Sequence, residues 1–224
     1  MDTDARADAE RAQGLARILS EESLVLDVGA NRGQFAQQLL SSVSCSVLCL
    51  EPVESAFIEL CALADREPRI TPVNLGVAEA TGEIDFFVTE SDVGSSLLRP
   101  VPKQSSKWAT FAARQTIQAT RLDDFIEDRG LGHVSLVKTD CQGADGRVLA
   151  SAGKLLTPDR IGALLVEVNF HAFYEGQDSV ASIFELTQAR GYFLAGFYRH
   201  FNREGWLWWA DALFLPSRAP FSTQ

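Results

Sequence analysis

Three acids in this chain stand where an apolar run gives way to a turn: Asp27 after LVL, Glu51 after SVLCL and Asp140 after VSLVKT. Carboxylates at strand tips of an α/β sheet face the crevice where such sheets bind ligands, and there they select for hydroxyl donors or cations. Asp27 is followed by a turn through Gly29, Asn31 and Gly33 that opens onto a helical pattern at Gln34 and Phe35. A glycine turn between a buried strand and a helix lets a ligand approach the backbone closely, where N–H groups and the helix dipole favour an anionic group. Glu51, with Pro52 after it, occupies the position from which a nucleotide-binding domain holds a ribose by its hydroxyls.

Two details choose among nucleotides. The dinucleotide fingerprint G-x-G-x-x-G has three glycines. Here Asn31 replaces the middle one and would crowd a pyrophosphate. Asp27 would repel that pyrophosphate but attract an ammonium or a sulfonium. S-adenosylmethionine carries both cations, and its carboxylate can sit on the N–H groups of the turn. The expected ligand is therefore a methyl donor. An NAD-dependent oxidoreductase and a non-catalytic cofactor-binding module are the alternatives.

If the acceptor is a hydroxyl, methyl transfer needs a base, because a neutral alcohol attacks poorly. Asp140 is the first candidate, with Glu167, near the tip of a later apolar run, and His171 as neighbours that orient the acceptor. Lys138, two residues before Asp140 on the same strand face, is expected to be its ion-pair partner. Asp140 and Glu167 as oxygen ligands of a magnesium ion form a further alternative. The three histidines, His133, His171 and His200, have no i, i+4 pair, so no metal is assigned to them. Cys45, Cys49, Cys61 and Cys141 form no C-x-x-C pair and are expected to be reduced.

These residues need strands and helices to hold them. Apolar runs at 24–28, 46–50 and 70–74 alternate with helical patterns at 34–41 and 54–65, a βαβαβ half whose right-handed crossovers bring Asp27, Glu51 and Asn74 to one edge. Residues 82–88 and 115–122 alternate as strands, 122–128 reads as a helix, and 134–139 and 161–168 are further buried strands. A helix at 177–190, a short strand at 191–195 and a final strand at 206–214 complete the order. Trp206, Trp208 and Trp209 on the last strand are expected in the core. Residues 89–114 are weakly periodic and read as a lid or acceptor loop, closing with Trp108 and Phe111. The expected layout is an N-terminal helical extension over 1–23, one domain over 24–215 and a tail over 216–224.

Composition bounds the rest. A chain of 224 residues, 46% of them hydrophobic, suffices for one domain with a large core. A net charge of −10 supplies no basic stripe for phosphate neutralisation, so no nucleic-acid partner is expected. No apolar run reaches the ~18 residues that span a bilayer. The charged N-terminus does not resemble a signal peptide, so a cytoplasmic location is expected.

Taken together, LDVGANRGQF, Glu51-Pro52, VNLGV, Gly94-Ser95-Ser96-Leu97, TRLDDFI, VKTDCQGAD and LLVEVNF occur in an order that resembles the FkbM family of S-adenosylmethionine-dependent methyltransferases. The resemblance runs over about 24–215. It implies the class I methyltransferase fold, a seven-stranded, mostly parallel α/β sheet with helices on both faces and the last strand antiparallel. It also implies O-methylation of a sugar, polysaccharide, lipid or natural product. Carried over position by position, Gly29, Asn31, Gly33 and Phe35 would hold the methionine end and Asp27 its ammonium. Glu51 and Pro52 would hold the ribose, and Asn74 and Gly76 the adenosine region, while Lys138 and Asp140 would face the transferring methyl. Asp145 stands where the family usually has a glutamate. The expected partners are a small-molecule or glycan acceptor and, as an alternative to a monomer, a second copy of the chain in a homodimer.

Overall fold

The computed structural model describes residues 3–91, 93–101 and 110–217. The chain forms α1 (Thr3–Leu15), β1 (Leu24–Val28), α2 (Gln34–Leu40), β2 (Ser46–Leu50), α3 (Glu54–Ala64), β3 (Ile70–Val73) and β4 (Gly76–Val77). There follow β5 (Gly82–Thr89), β6 (Phe111–Thr120), α4 (Leu122–Asp128), β7 (Leu136–Thr139), α5 (Asp145–Ala150), β8 (Leu164–Asn169), α6 (Val180–Ala189), β9 (Tyr192–Arg203) and β10 (Trp206–Pro216).

Seven strands form one sheet in the order β3-β2-β1-β7-β8-β10-β9. Every pairing from β3 to β8 is parallel, and β10 runs antiparallel to both its neighbours. Successive residues of a strand face opposite sides, and β1 shows the consequence: Leu26 and Val28 enter a core with α4, α5 and α6, while Val25 enters a second core with α1, α2 and α3. Both faces are therefore covered, and strands buried on both sides read as unbroken apolar runs.

The middle of the chain departs from expectation. β5 and β6 pair antiparallel, and with β4 they form a separate three-stranded sheet, so residues 111–114 belong to a strand and not to a loop. Trp108, the proposed apolar tip of the lid, lies outside the described residues. What is described of the lid, residues 93–101, is a strap tied down by backbone bonds: Ser96 and Phe87 exchange a pair, Val101 N–H donates to Phe173 and Glu175 N–H to Arg99. The strand expected at 191–195 runs on to Arg203. The tryptophans of β10 are not core. Trp206 is 69% exposed, and Trp208 and Trp209 are half-buried.

Candidate active site

The tips of β1, β2, β7 and β8 open into a cavity of about 600 Å³. That lies within the range of small-molecule pockets, roughly 300–1,000 Å³. It is closed on one side by the strap and the second sheet, through Val93, Leu97, Phe86 and Ile117, and on another by α1 and the β9-β10 hairpin, through Arg11, Arg199 and Trp209.

The turn after β1 is built for close backbone approach. Gly29 has φ 73°, and a Cβ there would lie 2.2 Å from the Asp140 carbonyl oxygen, so only glycine lets the tips of β1 and β7 meet. Asn31 takes φ 50°, which asparagine tolerates better than most residues. Its N–H donates to Glu51 Oε2 at 2.8 Å, and the Val53 N–H donates to Glu51 Oε1 at the same distance. One carboxylate thus joins two turns, keeping a lone pair on each oxygen for the cavity that Glu51 lines. Burial pushes its pKa up to about 7, against the two N–H bonds that favour the charge. Asn74 does not line the cavity. It donates to the Glu51 carbonyl oxygen at 2.9 Å and so fixes the strand tip.

Asp27 is placed differently from expectation. It is wholly buried and does not line the cavity, because Lys138, its register partner across β1 and β7, pairs with it at 2.8 Å. Lys138 also donates to the Gly29 carbonyl oxygen at 3.1 Å and stands 3.7 Å from Asp140. The cross-strand neighbour therefore outcompetes the acid two residues along the same strand. The turn's N–H groups are also spoken for. Gly29 and Ala30 donate to Leu50, Asn31 to Glu51, Arg32 to Gln34 and Gly33 to Ala30, so the turn does not present them to an anion. Gly33 lies outside the cavity lining. A Cβ there would meet Leu63 at 2.7 Å, which makes it a packing residue.

At the far side, Asp140 and Glu167 line the cavity together with Cys141, Gln142 and Asn169. Burial, then the Asp140, Asp145 and Asp211 charges, hold the Glu167 carboxyl well above the usual range, while Asn169 donates to its Oε1 at 3.2 Å. Between the two acids stands the Gln142 amide nitrogen, 2.7 Å from Asp140 and 3.1 Å from Glu167, in the place a bridging cation would take. Asp145 is buried beneath, where it accepts from the Cys141 and Gly143 N–H groups at 2.9 and 3.2 Å. It holds the loop and does not line the cavity. His171 is likewise outside the lining, 5.0 Å from Trp208 between ring centroids.

The residues brought together are thus Gly29, Asn31, Phe35, Glu51, Pro52, Gly76, Lys138, Asp140 and Glu167. Gln142, Tyr174, Arg11, Arg199, His200 and Trp209 also line the cavity without having been singled out for it. Most come from elements far apart in sequence, and no local spacing announces them.

Comparison with known proteins follows the same lines. Residues 27–194 match the family described as the methyltransferase FkbM domain. The chain is 26% identical over 174 residues to the 2-O-methyltransferase NoeI of Sinorhizobium fredii, covering 74% of this chain and 71% of that protein. Among solved structures, an rRNA methylase from Streptococcus thermophilus aligns with TM-score 0.53 and 11% identity over 93% of this chain and 95% of that one. The Burkholderia thailandensis 1,6-didemethyltoxoflavin-N1-methyltransferase, with S-adenosylhomocysteine bound, aligns with TM-score 0.51 and 19% identity over 96% and 80%. At these identities the solved structures establish the class I methyltransferase fold.

Proposed function

The chain belongs to the FkbM methyltransferase family, and on that premise we propose that it transfers the methyl group of S-adenosylmethionine to a hydroxyl of a small-molecule or glycan acceptor. The observation that carries the reading is Glu51: a buried carboxylate at the tip of β2, fixed by two N–H bonds and facing a cavity. A rigid acceptor pair at that position fits a vicinal diol, as a ribose presents it. The donor set therefore fits an adenosine-bearing ligand. Leu75, Gly76 and Val77 line the same cavity and offer apolar surface for a base, and Gly29, Ala30 and Phe35 line it as well.

When bound, S-adenosylmethionine supplies a methyl group already activated on a sulfonium. The chain must then position the acceptor, exclude water and remove one proton. Asp140 is the base in this reading, since it is one-third exposed into the cavity and has the Lys138 cation 3.7 Å away. Glu167, whose carboxyl burial and its acidic neighbours hold well above the usual range, stands beside Asp140 in the cavity wall, placed to orient the acceptor. Asp27 neutralises Lys138 from below and so takes part only through it. The name of the Sinorhizobium fredii relative, a 2-O-methyltransferase, supports a hydroxyl as the acceptor group.

The test is Asp140→Asn. Affinity for S-adenosylhomocysteine should stay within a few-fold while turnover on a hydroxylated acceptor falls by roughly 10²–10⁴, the usual worth of a positioned base. Unchanged turnover would remove Asp140 from the chemistry.

A further inference from the structure

Gln142 belongs to no expected role, yet its side chain joins more of the cavity wall than any carboxylate there. Its backbone is left-handed at φ 52°, a conformation that side-chain-bearing residues seldom adopt unless their surroundings fix it. That conformation turns the carboxamide into the cavity. The nitrogen lies 2.7 Å from Asp140 Oδ1 and 3.1 and 3.3 Å from the two Glu167 oxygens. The oxygen lies 3.0 Å from the Tyr174 hydroxyl, which also stands 2.8 Å from the Gly94 carbonyl oxygen and shares its one proton between them. The Gln142 carbonyl oxygen accepts from Ser96 Oγ at 2.9 Å, so backbone and side chain are both tied to the strap.

A carboxylate only accepts and an amide nitrogen only donates, so this amide favours ionised over protonated carboxyls on both sides. The other charged groups around the pair are fixed. Lys138 from β7 faces Asp140 and is itself paired with Asp27 of β1. Asp145 of α5 lies below, and Asp211 of β10, paired with Arg11 of α1, lies beyond Glu167. Tyr174 and Cys141 are the remaining titratable neighbours, and burial raises both out of the neutral range. Among the described residues, the donors that meet these two acids are Lys138, the Asn169 amide and the Gln142 amide.

We infer that Gln142 is a positioning residue: its carboxamide pins Asp140 and Glu167 side by side and couples the pair through Tyr174 to the strap at Gly94. The chemical identity of Asp140 as base rests on the functional reading above; the pinning of the pair does not.

The experiment follows the carboxyl ¹³C shifts of Asp140 and Glu167 in the full chain, free of ligand, from acid to alkaline pH. Asp140→Asn and Glu167→Gln supply the assignments. In Gln142→Leu, the lower of the pair's two apparent titration steps should move up by about one pH unit or more, because two donors are lost. Gln142→Glu keeps the shape, adds a third carboxylate and should move the step further, which serves if the leucine variant does not fold. Titration curves that overlay those of the wild type in the folded variant would overturn the inference. A wild-type protein that bound no S-adenosylhomocysteine would count against the donor assignment alone, since the titration is read on the free protein.

Discussion

At the scale of single residues, burial sets which acids around the cavity hold a proton. Glu51 illustrates the consequence for pH. Its pKa is about 7 in the folded chain against 4.5 for an ordinary glutamate, so the folded state retains a proton that the unfolded state releases between those values. Stability contributed through this group is greatest at acid pH and falls as pH rises toward 7. Asp145, also raised to about 7, adds to the same slope. In the function proposed above, donor binding runs the other way, because ribose hydroxyls would donate to the ionised carboxylate. Affinity for S-adenosylhomocysteine should rise about tenfold between pH 6 and 8, following the ionised fraction of a group titrating near 7. Glu51→Gln should flatten that rise. A rise that persists unchanged in the glutamine variant would place the titrating group elsewhere.

At the scale of elements, the parallel strands were legible because two-sided burial leaves unbroken apolar runs with acids at their tips, and Asp27, Glu51 and Asp140 do mark three of those tips. Side-chain partners were not legible. Lys138 pairs with Asp27 because β1 and β7 lie side by side in register, a fact of strand order that no spacing of 138 against 140 reveals. In the sequence β9 reads as five residues because Gly196 and the polar positions after it blur the alternation, whereas pairing with β10 sustains it to Arg203. β6 begins at Phe111, and its first residues, rich in alanine, carry little strand preference; they are held by β5 opposite. The contact between β1 and β7 gives a test at this scale. Gly29→Ala puts a methyl against the Asp140 carbonyl and imposes φ 73° on a residue that resists it. A cost of at least ~2 kcal/mol is expected from the strain alone, seen as a lower urea midpoint, together with weakened S-adenosylhomocysteine binding. An alanine variant as stable as the wild type would mean that the two strand tips separate freely.

For the whole molecule, the cavity draws on more of the chain than the family match covers. Residues 27–194 include neither α1 nor the greater part of the β9-β10 hairpin, yet Arg11, Arg199, His200 and Trp209 all line the cavity. Arg11 is the tie. It is 5% exposed, donates to Asp211 at 2.6 Å, to Asp8 at 3.0 Å and to Gln38 at 2.7 Å, and lies over the Phe35 ring. Removing one partner of a buried pair leaves the other charge uncompensated, at a cost of about 3–5 kcal/mol. Arg11→Leu should lose stability of that order in urea unfolding, and Arg11→Leu combined with Asp211→Leu should regain most of it. A single variant of undiminished stability would show that α1 is not fastened to the sheet by this pair. Among the described residues no helix is long and apolar enough to cross a membrane.

Whether this cavity receives an adenosine-bearing methyl donor with its ribose on Glu51 is decided by calorimetric titration of the wild type and Glu51→Ala with S-adenosylhomocysteine, alongside NADH. One site per chain on the wild type, weakened by well over tenfold in the alanine variant, with no heat from NADH, is the expected result. Equal affinity in both proteins, or binding of NADH in place of S-adenosylhomocysteine, would contradict it.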